Sequence, residues 1–211
     1  MSLLRDVVSF AAVAGLLTVV PGLDTAMVLR SAVSHGRKHG FATALGVNTG
    51  ALVWGAGAAV GVSALLTAST IAYTVLRIAG AIYMIWLGSR LMLRTLRDGG
   101  IHEAPDVPLG APRIWRAWSR GLMTNLLNPK IGAFYVAVLP QFIPPHDSHL
   151  AVGLLLALIH DVEGITWFIA IIFGADSARA ILSRRRVRRG IDGITGSTLI
   201  GFGVKLGLSS R

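Results

Sequence analysis

Six apolar stretches dominate this chain of 211 residues, at positions 7–29, 41–67, 71–93, 121–143, 150–173 and 191–208. Each is close to the roughly 20 residues that carry an α-helix across a bilayer. In hydrocarbon every backbone polar group needs a partner within the protein, so stretches of this kind become helices and not open sheets. The composition agrees: 53% of residues are apolar and 14% charged, against roughly 25% charged in an average soluble domain. The reading is an all-α membrane protein with six transmembrane helices in a single polytopic domain spanning 1–211. The first stretch meets a proline before any small-residue cleavage site, so it is read as retained and not as a removed signal peptide.

The net charge of +10 could suggest a nucleic-acid partner, but the placement of the charge argues against one. Fifteen of the 20 Lys and Arg residues sit after the first, third and fifth stretches, from Arg30 to Lys38, from Arg90 to Arg120 and from Arg179 to Arg189. That bias predicts cytoplasmic basic loops, both termini outside, and a multi-pass protein of a bacterial inner membrane. The tract Arg184-Arg185-Arg186-Val187-Arg188-Arg189 reads as an anchor for anionic lipid headgroups. Cysteine is absent, which excludes disulfides and thiolate metal sites. No glycine-rich phosphate loop is present, so ATP is not expected to drive this chain, and no cofactor is expected.

Two of the stretches are broken. Pro21-Gly22-Leu23-Asp24 interrupts the first and Asn128-Pro129-Lys130 the fourth. Pro21, Gly22 and Pro129 are candidate hinges, because proline removes a backbone donor and a spanning helix tolerates this where the protein lines a cavity. The prolines lie about half the chain apart, which divides it into repeat one (6–94), a cytoplasmic connection (95–119) and repeat two (120–208). With three spans each, the repeats are inverted relative to one another, a plan in which broken helices meet at a binding site. Gly46, Gly50, Gly57 and Gly61 fall on one face of the second stretch, and Gly196, Gly203 and Gly207 on one face of the sixth. Both are read as packing seams, which could also serve a homodimer.

The segments that carry a family resemblance run in order along the chain. They are Pro21-Gly22-Leu23-Asp24, then Gly36, Gly40, Gly46 and Gly50, then Leu76-Arg77-Ile78-Ala79-Gly80-Ala81-Ile82-Tyr83 and Trp86-Leu87-Gly88. Gly121-Leu122-Met123-Thr124-Asn125-Leu126-Leu127-Asn128-Pro129-Lys130 and Val138-Leu139-Pro140-Gln141-Phe142 follow. In this order and spacing they resemble the LysE/RhtB family of amino-acid exporters. The resemblance implies a six-helix secondary transporter, not an enzyme, that exports amino acids or related small metabolites in exchange for protons.

Polar residues inside the stretches are the candidates for chemistry. Asp24 lies about 9 Å from the cytoplasmic end of its helix and Lys130 about 15 Å from the same side, at 1.5 Å per residue. Asp24 can hold a substrate ammonium or a proton, and Lys130 a carboxylate; equally, the two can form a structural pair. Asn48, Asn125 and Asn128 both donate and accept, which suits a zwitterion or backbone freed by Pro129.

The fifth stretch carries His160-Asp161-Val162-Glu163 near its middle, where each ionised carboxylate costs about 2.5–3.5 kcal/mol. His160 and Glu163 are three apart and can touch, forming a proton relay or a self-satisfied pair, while Asp161 points to the far side of the helix. Asp24, His160, Asp161 and Glu163 are thus the candidates for proton coupling. H-x-x-E supplies only two metal ligands, so no metal site is expected. An intramembrane metal enzyme and a passive channel or structural subunit remain the alternative readings.

Overall fold

The computed structural model describes residues 3–20, 22–68, 70–97, 113–144, 147–182 and 184–208. Within them every regular element is helical: α1 (Leu3–Val19), α2 (Leu23–His35), α3 (Arg37–Ala68), α4 (Thr70–Arg97), α5 (Ile114–Leu126), α6 (Pro129–Ala137), a 3-10 turn (Leu139–Phe142), α7 (His149–Phe173), α8 (Ala175–Leu182) and α9 (Arg185–Leu208). Both expected breaks separate helices. α1 and α2 are bent by 53° around theirs, although the hinge residue Pro21 itself lies outside the described residues. α5 ends at Leu126 and α6 starts at Pro129, with Asn128 as its N-cap.

Among the described residues, two or three of the six spans read in the sequence meet a test of length and apolarity alone. On length and apolarity, α3 over Arg37–Gly61 and α7 over His149–Phe173 each suffice to cross a membrane, and the bent α1–α2 pair passes as a third. α4 and α9 form where spans were expected but carry arginines within the helix. α9 begins at Arg185 and not near 191, so Arg185 to Arg189 form its first turns. α5 likewise begins at Ile114 and takes Arg116 and Arg120 into the helix. α8 occupies part of the basic connection after the fifth stretch. Arginine is a good helix former whose stem can lie along apolar surface, so a run of basic residues need not end a helix.

Helices α4 and α9 form the most extensive pair, followed by α3 with α5 and α3 with α7. Small residues allow these approaches. Gly46 of α3 lies against the backbone of Trp118 and Leu122 on α5, and Gly121 of α5 against Thr43 and Val47 on α3. A Cβ on Gly55 would come within 2.5 Å of Ala157 on α7, and one on Gly88 within 2.6 Å of the Gly196 carbonyl on α9.

The α3 glycine seam is only half as long as its sequence pattern. Gly57 and Gly61 meet nothing within 4 Å, and the contact passes to Gly55, which faces α7. The core gathers Phe10, Phe134, Tyr135, Leu139, Phe142 and Leu156, while Val8, Leu16, Val53, Ile82, Leu158 and Val162 point outward. An apolar exterior of this kind suits lipid as its solvent.

One connection is fixed by local geometry. α2 passes into α3 through the single residue Gly36, at φ +84°, a left-handed conformation that glycine adopts without the Cβ penalty.

Candidate functional site

The two breaks meet at one pocket. It holds about 450 Å³ of free space, open mouth included, and its wall includes Asp24, Asn48, Asn125, Asn128, Lys130, His160 and Asp161. Residues far apart in sequence converge because α2 and α7 pack on α3, and α5 packs on both α2 and α3.

The second break closes the first. Leu17 O is the acceptor that residue 21 would serve in an unbroken helix, and proline has no N–H to donate. Lys130 supplies the missing donor: its Nζ donates to Leu17 O at 3.0 Å and to Val20 O at 2.9 Å. From the same side α5 holds the carboxylate of the first break, Asn125 Nδ2 donating to Asp24 Oδ2 at 3.0 Å. Asp24 stands in the first turn of α2, where the helix dipole favours negative charge. Asp24 and Lys130, the pair allowed by the sequence, thus make their hydrogen bonds with other partners while their charges still attract each other across the pocket. Asp24 Oδ1 keeps no hydrogen-bond partner although the residue is only 8% exposed.

The second break also caps itself. Asn128 Oδ1 accepts from the Lys130 backbone N–H at 3.1 Å, with Pro129 at the first helical position, the arrangement that helix N-termini favour. On α3, Asn48 Nδ2 donates to the Asp161 carbonyl at 2.9 Å. Gly50 leaves room for Asn125, whose Oδ1 would lie 2.6 Å from a Cβ at that position.

The α7 cluster divides between two faces. His160 and Asp161 line the pocket. Glu163 instead lies against Gly15 of α1, at 3.4 Å from a Cβ built there, and its Oε2 is buried without a hydrogen-bond partner. The His160–Glu163 contact permitted by their spacing is not the one that forms. His160 Nδ1 is hydrogen-bonded to the Tyr135 hydroxyl at 3.0 Å, with the Phe134 ring 5.5 Å away. A buried hydroxyl on α6 competes better for the imidazole than a carboxylate one turn along the same helix.

Sequence reading missed Tyr135, Thr18, Thr25 and Gly164, and gave Gly50 only a packing role. Tyr135 is fully buried and partners His160, and Thr18, Thr25 and Gly164 line the pocket. Hydroxyls and glycines are inexpensive within apolar helices, so none stands out as a charge does. Among the described residues, no group of three or more His, Cys, Asp or Glu side chains could hold a metal ion.

The family model for LysE type translocators matches residues 16–210. The chain belongs to the LysE type translocator family. It is 30% identical over 192 residues to the threonine efflux protein of Escherichia coli (strain K12), covering 90% of this chain and 91% of that one. It is 29% identical over 193 residues to the leucine efflux protein of Enterobacter sp. (strain 638), covering 90% and 89% respectively. It is also 28% identical over 210 residues to the uncharacterized membrane protein YrhP of Bacillus subtilis (strain 168), covering 98% of this chain and 100% of that one. No solved structure matches the chain. As a member of this family the protein is a membrane transporter and not an enzyme, which replaces the intramembrane-enzyme reading.

Proposed function

We propose that this LysE type translocator is a six-span secondary exporter of amino acids, moving them outward across a bacterial inner membrane in exchange for protons. The observation that carries the reading is that both broken helices and α7 place polar residues in one and the same pocket. The efflux relatives, named for threonine and leucine, supply the substrate class. Asp24 receives the substrate ammonium; Asn48, Asn125 and Asn128 bond its polar groups, and Lys130 has one ammonium hydrogen left for its carboxylate. Asp24, His160 and Asp161 are the pocket groups that carry the coupling proton, with Glu163 a separate carboxylate behind α1.

The inverted-repeat plan is supported by the pairing of corresponding helices, α3 with α7 and α4 with α9. Rocking one repeat against the other around Gly22 and the Pro21 and Pro129 breaks exposes the pocket to each side in turn. The positive-inside bias orients the basic connections to the cytoplasm and both termini outward. Anionic lipid holds the arginine-rich start of α9, and a homodimer would use the open Gly57 and Gly61 face.

Right-side-out vesicles loaded with labelled threonine or leucine test the reading. An acid exterior accelerates efflux, a protonophore removes the acceleration, and efflux proceeds against a substrate gradient. Equal efflux from vesicles lacking the protein sinks the assignment, and efflux that only runs downhill makes the protein a channel.

A further inference from the structure

Lys130 is rooted on α6, yet its ammonium lies at the end of α1. Besides the two carbonyls of Leu17 and Val20 that it binds, its Nζ would stand 3.6 Å from a Cβ placed on Gly22. The ammonium therefore sits inside the first break. Two further oxygens on the wall of the same pocket have no hydrogen-bond partner, Thr18 Oγ1 and Asp24 Oδ1. Carbonyl and hydroxyl oxygens at the C-terminal end of α1, with a carboxylate oxygen from the first turn of α2 on the same pocket wall, form a surface suited to a small hard cation. Broken-helix transporters use such ends to coordinate sodium.

We propose that Lys130 is a tethered cation occupying a cation seat built by the end of α1, so that the protein's own ammonium stands where a free sodium ion would otherwise bind. Three features carry this: the orphan Leu17 carbonyl left by Pro21, the reach of Nζ from α6 to the end of α1, and the unpartnered oxygens on the wall of the same pocket. Two consequences follow. Sodium does not bind the intact protein at this place, and removing the side chain opens the seat to small cations from solution. The link to coupling rests on the pocket being the transport site; the seat itself does not, and it is tested by binding, without transport.

The chain lacks cysteine, so Lys130→Cys introduces a single thiol. Purified protein is melted in N-methylglucamine chloride, sodium chloride or methylammonium chloride at equal ionic strength. The wild-type Tm stays within about 1 °C across the three salts, whereas Lys130→Cys melts lower and regains about 5 °C, saturably, in sodium or methylammonium. Alkylating that thiol with 2-bromoethylamine rebuilds a side chain of lysine's length ending in an ammonium. It restores the wild-type Tm and abolishes the salt response; iodoacetamide, which adds a neutral amide, does neither.

Lys130→Arg, which keeps a cation, melts near wild type and ignores sodium, and it serves as the second variant should Lys130→Cys not fold. Saturable stabilisation of the wild type or of Lys130→Arg by sodium overturns the proposal. So does a folded Lys130→Cys protein that responds to neither small cation, or one restored equally by iodoacetamide. A pocket that fails to transport amino acids leaves these melting curves unchanged, so the two readings fail separately.

Discussion

The two helix breaks are chemically unequal. The second is capped from within, because Asn128 accepts the Lys130 N–H and Pro129 fits the first turn of α6. The first begins α2 from Gly22, whose position carries no side-chain cap, and its loose ends are met from the other break by Lys130 and Asn125. A self-capped break is stable wherever it is placed; a borrowed one is stable only while α5 and α6 stay packed against α1 and α2. The first break is therefore the part of the site whose geometry depends most on how these helices pack, and Asp24 is the side chain that reports it.

Predictions that challenge this asymmetry begin with the largest effect. Asp24→Asn keeps the size of the side chain but loses the charge that Asn125 holds, and efflux falls roughly 100-fold, as expected for a buried hydrogen bond to a charged group. The measurement is efflux from loaded vesicles at matched protein levels, and unchanged efflux makes the first break merely structural.

Next is Gly50→Ala, whose methyl group would stand 2.6 Å from Asn125 Oδ1. Overpacking of this sort costs about 1–3 kcal/mol, read as a lowered Tm together with slower efflux. Adding Asn125→Ala relieves the clash, so the double variant melts above Gly50→Ala alone. If the two effects simply add, the contact between α3 and α5 at this point is not what positions Asn125.

A smaller loss is expected at the self-capped break. Asn128→Ala costs about 1 kcal/mol in Tm-derived stability, and Asn128→Asp or Asn128→Ser recovers most of it. The same order of loss, about 1 kcal/mol, follows from Gly36→Ala, but this turn lies outside the pocket and efflux per folded molecule is unaltered. The least effect belongs to Gly22→Ser, at φ −134° where any residue fits. A hydroxyl there supplies the cap that α2 lacks and changes stability by about 0.5 kcal/mol or less. A large gain would mean that the first break is under-capped and not held by its partner.

Much of the site was legible because charge and proline are expensive in apolar helices. Asp24, Lys130, His160 and Asp161 stood out on that ground, and the structure brings them to one pocket. The inexpensive residues were not legible. Tyr135 reads as one more aromatic in a core stretch, and only the packing of α6 against α7 makes it the partner of His160. Gly50 was placed on a seam, but that it leaves space for Asn125 depends on how closely α3 meets α5.

Helix boundaries were displaced for a related reason. The basic residues do not end the helices, so α5 and α9 extend into tracts that the charge pattern assigned to connections.

The amino-acid order alone determined the helical class, the two breaks and the residues of family resemblance, because each follows from local chemistry: apolar length, a missing N–H, an uncompensated charge. The choice of partners was decided only by tertiary structure. Nothing near Lys130 in sequence shows that its ammonium reaches Leu17 and Val20, more than a hundred residues away, or that Glu163 faces away from the pocket lined by its neighbour Asp161. Those outcomes depend on which helices approach closely enough to share a buried polar group, and that distance is set by small residues on both sides of an interface.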